Sequence, residues 1–391
     1  VLATVNALKL LGIKITVEKG NVWNIYGAGL SGYKEPREFL DLGNSGTGVR
    51  LLMGAISGSN IKVSFKGDES LSKRPMMRII KPLMLMGNVF THNREALPVT
   101  ISSPKEILSI KYKSPVASAQ IKSAILLAGL SASGITEVIE PKVSREHTEK
   151  MLIQFGAEIN SKHLDDGSNH IKLNGRPLLK PQEIVVPGDP SSAAFPIVAA
   201  LITPGSKIEV KDVMINPGRD GFIKTLLEMG AKITIKNKLV RNNETIASIL
   251  AEYSNLKGIV ISSNRVATMI DEYPIISIAA SSARGTTKML GISELRVKET
   301  DRIHAVAKGL KNAGIKVDET KDSLSVHGGV VKGGCNIDSQ LDHRIAMSFI
   351  ILGLISKKPI KINNCDTIAT SFPTFLNLMK KLGANLKEVN T

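Results

Sequence analysis

The chain repeats itself, and that repetition restricts its fold more than any other feature. Small, polar residues lead into an apolar stretch rich in Ala, Leu and Gly, first as Gly43-Asn44-Ser45-Gly46-Thr47 before residues 51–56. The pairing recurs as Ala117-Ser118-Ala119-Gln120 before 125–130 and as Pro187-Gly188-Asp189-Pro190-Ser191-Ser192 before 195–202. It returns as Ile270-Asp271-Glu272-Tyr273-Pro274 before 275–280 and as Leu341-Asp342-His343-Arg344 before 345–354. Short β-rich runs follow the first three, at 61–65, 135–139 and 208–213. A second, more amphipathic helix then runs to a glycine: 75–86 to Gly87, 146–155 to Gly156, 221–229 to Gly230, 300–313 to Gly314 and 373–382 to Gly383. Glycine just past a helix is the usual stop, because it enters the left-handed region without a Cβ penalty.

The period is roughly 70 to 80 residues, and strand, helix, strand, helix and further strands repeated about six times argue for α/β architecture. Residues 1–11, with Val1, Val5, Leu8 and Leu11 at helical spacing and Gly12 behind them, read as a second-type helix. Its first-type partner is expected upstream of Val1, so the first half of repeat one is expected to be absent. Three units per half predict two similar domains, 1–187 and 188–391, with the crossover at Val186-Pro187-Gly188-Asp189.

Composition narrows the function. With 391 residues, 42% hydrophobic, the chain can bury two large cores. Its two cysteines, Cys335 and Cys365, are too few and too isolated for a disulfide framework or a zinc site, which points to a reducing cytoplasm. The longest apolar run, around 345–355, is broken by Ser348 and Gly353 and is too short to span a bilayer. A net charge of +16 raises the local concentration of anionic partners. Ordinary solvated lysines account for such a charge equally well. No basic block or aromatic–basic interleaving appears, so small phosphorylated substrates are favoured over nucleic acid.

The first-type helices begin with small, polar or charged residues, which suits N-termini aimed at a shared cleft. Unpaired N–H groups and partial positive charge make such ends anion sites; ordinary N-capping by Asn, Ser and Asp is the plainer alternative. The run Leu295-Arg296-Val297-Lys298-Glu299-Thr300-Asp301-Arg302 places two cations and a carboxylate at a helix start. Lys298 and Arg302, four apart, are expected on one helix face. Such a run is often just a solvated turn. Here Lys73-Arg74-Pro75 and Asp342-His343-Arg344 accompany it at equivalent starts, and arginines beside carboxylates suit bidentate binding of carboxylate and phosphate oxygens.

In order and spacing, these motifs resemble the signatures of the EPSP synthase family. Ala117-Ser118-Ala119-Gln120, Met269-Ile270-Asp271-Glu272-Tyr273-Pro274 and Thr370-Ser371-Phe372-Pro373 add to the match, which looks like the bacterial subclass containing glyphosate-tolerant members. The resemblance runs from Val1 to about Leu386. It implies an inside-out α/β barrel in each of two domains, each of three βαβαββ units, with the active site in the cleft between them. The implied reaction moves the enolpyruvyl group of phosphoenolpyruvate to the 5-hydroxyl of shikimate 3-phosphate, releasing phosphate, in a cytoplasmic monomer. No metal or organic cofactor is implied, and neither a nucleic acid nor a membrane is an expected partner.

The resemblance further implies that Gly46, Arg74, Gln120, Arg302 and Arg344 contact phosphoenolpyruvate. Ser118, Ala119, Gln120, Arg145, Asp271 and Lys298 would contact shikimate 3-phosphate. Asp271 would be the base at the hydroxyl and Glu299 the acid that moves protons at the enol carbon. Asn44 and His343 would support these groups. Taken alone, Asp271 reads as a helix cap more readily than as a base, Asn44 reads as an Asx-turn residue unless the glycines beside it admit a ligand, and His343 reads equally as a structural histidine. Two other readings stay open. One is the related transferase acting on UDP-N-acetylglucosamine, which usually carries a loop cysteine that neither Cys335 nor Cys365 matches; the other is a non-catalytic relative, such as an RNA-end-processing one.

Three departures from the family pattern stand out. Some members carry Lys where this chain has Thr370, and the family's Lys-Ser and following Arg of the first helix would fall before Val1. A protein of these residues alone is therefore expected to be nearly inactive and less stable. Tolerant members have Ala where this chain has Gly46. The enzyme is predicted to be inhibited by glyphosate, with Gly46→Ala raising the inhibitor's Ki because the methyl intrudes on the longer inhibitor more than on the substrate. Equal inhibition constants for the two proteins would reject this.

Overall fold

A computed structural model describes residues 1–92 and 95–389. By its internal contacts the chain divides into two compact units, Val1–Glu183 and Ile184–Thr391, each with its own hydrophobic core.

The repeat is visible as a recurring sheet. In the first unit, Leu40–Asp41 pairs parallel with Lys62–Lys66, which pairs antiparallel with Val99–Ser102, which pairs antiparallel with Val89–His92. Lys111–Lys113, Ile135–Glu140, Asn169–Asn174 and Ile159–His163 reproduce this order and sense. So do Val260–Ile261, Thr286–Met289, Leu324–His327 and Val317–Glu319 in the second unit. The unit beginning near Gly188 keeps only a single parallel bridge, Gly188 to Val213, in place of its opening strand. One helix crosses between each parallel pair, and a second joins the parallel pair to the antiparallel hairpin. That is the βαβαββ unit expected from the repeat.

The two helix types differ in burial for a reason their sequences state. Gly46–Ala55, Ala119–Gly129, Pro190–Ile202, Tyr273–Ser282 and His343–Gly353 are apolar almost all round, and they lie inside. Within the second unit the last three pack against one another. Within the first unit Gly46–Ala55 and Ala119–Gly129 meet so closely that a Cβ on Gly54 would stand 2.2 Å from the Ala124 carbonyl oxygen. The second-type helices Leu2–Leu10, Met77–Leu85, His147–Gln154, Gly221–Glu228, Arg302–Asn312 and Phe375–Lys381 each bury only part of their surface. Among the described residues no helix is long and apolar enough to cross a membrane.

The caps explain where the inner helices start. Ser45, Ser118, Asp189 and Asp342 each accept a hydrogen bond from the first turn of the helix they precede. One expectation is corrected: Lys298 does not share a helix face with Arg302. The helix starts at Arg302, and Lys298 is extended, directly after the 3-10 turn Ser293–Val297.

Gly54→Val should destabilise the first unit by about 3 kcal/mol or more, through forced separation of two packed helices. Gly353→Ala, which meets open space at the end of a helix, should be neutral or stabilising by up to about 1 kcal/mol. Urea denaturation of the two variants checks both; equal midpoints would contradict the packing described.

Candidate active site

The first unit gathers several of its candidate side chains at the mouths of two touching helices. Gln120, in the first turn after the Ser118 cap, donates from Nε2 to Thr47 Oγ1 at 2.8 Å and accepts from Arg50 Nη1 at 2.6 Å. Arg50 also donates to the Pro75 carbonyl oxygen at 3.2 Å, joining the inner helix to the segment after Arg74. Arg74 donates from Nη2 to Asn44 Oδ1 at 2.7 Å, and Asn44 donates to Asp68 Oδ2 at 2.7 Å. Asp68 is fixed in turn by the Leu71 backbone N–H at 2.7 Å. Asn44 is thus more than a turn residue: its amide carries the hold of Asp68 across to the guanidinium. Gly46 lies beside this pair, and a Cβ there would meet Arg74 Nη1 at 3.1 Å and Arg50 Nη1 at 3.5 Å. A side chain at this helix start presses first on the guanidinium.

Ser118 caps its helix, its hydroxyl accepting from Ile121 N at 3.5 Å, and Ala119 is the first helical residue. Arg145 lies in the connection between Ile135–Glu140 and His147–Gln154, half-buried.

The second unit is built around one guanidinium. Arg302 opens its helix and is 1% exposed. Its Nε donates to Asp342 Oδ2 at 2.8 Å, and its Nη2 donates to Glu299 Oε2 at 2.5 Å. Its Nη1 stands 3.6 Å from Asp271 Oδ1, too far for a hydrogen bond, and makes none among the described residues. Asp342 does double duty, accepting from the Arg344 and Ile345 backbone N–H groups as the cap of the inner helix. Burial pushes the Arg302 guanidinium down, but Asp342 and Glu299 more than reverse this, so it is firmly charged. Burial likewise raises the Asp342 carboxyl, and Arg302 outweighs it, leaving it below the usual carboxylate range.

Arg344 joins the cluster from the next inner helix. Its Nη1 donates to the Asp271 carbonyl oxygen at 3.0 Å and lies 3.7 Å from Glu272 Oε1. Asp271 sits in the 3-10 turn Ile270–Glu272, one residue before the capping position at Glu272, so the simple cap reading does not hold. His343 is held neutral: burial, then the nearby Arg344 charge, lowers it to about 4. Lys298 stands apart, its ammonium 3.4 Å from Glu294.

Of the residues singled out from the sequence, the structure brings together Asp271, Glu299, Arg302, His343 and Arg344 in one unit, and Asn44, Gly46, Arg74 and Gln120 in the other. Reading the sequence missed Arg50, Asp68 and Asp342 as structural partners. A cation within an apolar Gly-rich helix was the available signal for Arg50. Also missed were Ser191, Arg219 and Glu272, where Arg219 Nη2 donates to Ser191 Oγ at 2.8 Å and Ser191 donates to Glu272. No group of three or more His, Cys, Asp or Glu among the described residues is arranged to hold a metal ion.

A sequence profile described as EPSP synthase (3-phosphoshikimate 1-carboxyvinyltransferase) matches residues 1–379. The chain is 50% identical, over 98% of its length and 86% of the relative's, to a 3-phosphoshikimate 1-carboxyvinyltransferase of Parvibaculum lavamentivorans. It is 50% identical to the protein of that name from Paracoccus denitrificans, covering 99% of this chain and 87% of the other. Among solved structures, an EPSP synthase of Acinetobacter baumannii superposes with a TM-score of 0.87 at 43% identity, covering 99% of this chain and 88% of that one. The enolpyruvyl transferase NikO of Streptomyces tendae shares the fold at a TM-score of 0.77 and 15% identity, covering 100% of this chain and 88% of its own.

His343 generates a pH prediction. Its folded value, about 4, lies below the ordinary 6.5, so between these values the unfolded chain binds the extra proton. Its contribution to stability is complete above about pH 6.5 and is lost as pH falls towards 4, by at most about 3 kcal/mol. His343→Gln should flatten the dependence of unfolding free energy on pH in that window. An unchanged slope would refute the assignment.

Proposed function

The chain belongs to the EPSP synthase family, and we propose that its two side-chain clusters divide between them the work of that family's reaction. The enzyme transfers the enolpyruvyl group of phosphoenolpyruvate to the 5-hydroxyl of shikimate 3-phosphate, releasing phosphate, in the shikimate pathway to chorismate and the aromatic amino acids. It uses phosphoenolpyruvate and shikimate 3-phosphate as substrates. We further propose that it acts as a cytoplasmic monomer without nucleic-acid or membrane partners.

The chemistry sets three requirements. The shikimate hydroxyl must lose its proton, the methylene carbon of the enol must gain one, and two anionic molecules must be held together. In our assignment Asp271 takes the hydroxyl proton and Glu299 moves the proton to and from the enol carbon. Arg74, Arg302 and Arg344, with Gly46 and Gln120, receive the phosphate and carboxylate of phosphoenolpyruvate, where fixed cations stabilise charge without reorganising. Ser118, Ala119, Gln120, Arg145 and Lys298 receive shikimate 3-phosphate. Asn44 holds Arg74, and the neutral ring of His343 packs beside Arg344.

The observation that carries this assignment is the placement of Arg302. One guanidinium has Glu299 on one Nη and Asp271 3.6 Å from the other, so the two candidate proton carriers flank a single cation. Fixed charge of that kind orients both carboxylates and offers the unbonded Nη1–H to an incoming anion. Glu299→Gln and Asp271→Asn keep the shape but not the proton chemistry. Each is predicted to lower kcat by about 10²- to 10⁴-fold, the usual range for a lost general acid or base. Phosphate release with shikimate 3-phosphate, compared with UDP-N-acetylglucosamine, is the assay. Either variant retaining wild-type kcat would sink its assigned role, and turnover only with the nucleotide sugar would sink the reaction.

A further inference from the structure

Behind the Ser118 helix mouth lies a buried charge cluster that the reaction chemistry above does not use. Lys122 is 0% exposed, on a helix turned inward by Ile121, Ala124 and Ile125. Its ammonium is 3.0 Å from Glu140 Oε2 and 2.6 Å from Glu149 Oε1, and those side chains are 0% and 6% exposed. Placing three ionisable groups in a core is expensive. Each buried ion forfeits several kcal/mol of hydration that pairing only partly returns, and an aliphatic residue would fill the same space without that loss. Burial lifts the Glu149 carboxyl above its ordinary range despite the neighbouring ammonium.

What the cluster supplies, and an aliphatic residue would not, is direction. Lys122 stands one turn beyond Ser118 on the same helix. Glu140 ends the strand Ile135–Glu140, and its second oxygen accepts from Ser144 Oγ, the residue before Arg145. The neighbouring Ser123 hydroxyl lies 2.6 Å from Thr148 Oγ1, in the first turn of His147–Gln154. The connection carrying Arg145 is therefore tied to the helix carrying Ser118 and Gln120 at both of its ends.

We propose that Lys122 is a positioning residue for shikimate 3-phosphate: through Glu140 and Ser144 it locks the Arg145 connection in register with the Ser118 helix mouth. This rests on the reading of Ser118, Gln120 and Arg145 as contacts to that substrate. Lys122 touches no substrate itself. It acts by holding two recognition elements at a fixed separation, so that neither must be ordered when the substrate binds.

The test uses Ser144→Ala, Lys122→Met with Glu140→Gln, and Arg145→Ala in the full chain, with melting temperature, kcat and both KM values measured. Ser144→Ala removes only the hydroxyl that links the cluster to the connection. It should raise KM for shikimate 3-phosphate about fivefold, and the Lys122→Met/Glu140→Gln pair about tenfold or more, with KM for phosphoenolpyruvate within about twofold. Added to Arg145→Ala, the pair should raise KM by no more than about twofold further, because the element it positions has lost its contact. A lowered melting temperature with both KM values unchanged would show a merely structural cluster, as would equal rises in both; either overturns the proposal. If the pair does not fold, Ser144→Ala decides by the same split. An Arg145 effect without a Ser144 or Lys122 effect overturns this inference alone, whereas Arg145→Ala with wild-type KM overturns the substrate reading beneath it.

Discussion

The second unit depends on the pairing of the buried Arg302 guanidinium with carboxylates. Fully enclosed, that cation would be prohibitively costly without Asp342, and Asp342 would be equally costly without it. The same Asp342 caps the inner helix that places His343 and Arg344, so one buried pair fixes a helix start, an arginine and two flanking acids together. Such a pair adds little net stability compared with apolar packing. Its consequence is orientation: Glu299 and Asp271 are held to either side of a single point of positive charge.

The first unit solves a similar problem through an intervening amide. Arg74 is steered by an amide, Asn44, which is steered by Asp68, so a guanidinium at the surface of the helix mouth is held by a chain of short hydrogen bonds. Hydrogen bonds to charged groups are among the stronger ones in water. Gly46 belongs to this arrangement, since its missing Cβ gives Arg74 and Arg50 their room. Lys122 and its glutamates extend the pattern inward, with charge used in both units to set where things point.

How much of this was legible beforehand follows from which interactions are local. The repeat, the helix stops and the inner, apolar helices were readable because each is a pattern within some tens of residues. The caps were readable too, as Ser45, Ser118, Asp189 and Asp342 precede their helices. Arg302 and Glu299 could be singled out from one run of letters. Pairings across long separations could not. Arg50 meets Gln120 70 residues away, and Asp342 meets Arg302 40 residues away. Lys122 looked like one more lysine in a basic chain, and only burial distinguishes it. Lys298 was placed on a helix by its spacing from Arg302, but the Asp301 cap starts the helix later, and Lys298 itself is extended after a 3-10 turn.

The arrangement around Arg302 is most directly tested by a crystal structure with phosphoenolpyruvate and shikimate 3-phosphate bound. Arg302 should keep its bond to Asp342 while an oxygen of phosphoenolpyruvate lies within about 3 Å of a terminal guanidinium nitrogen, with Glu299 beside the enol carbon and Asp271 beside the shikimate hydroxyl. Phosphoenolpyruvate bound away from Arg302, with all three carboxylates still closed around it, would contradict the account.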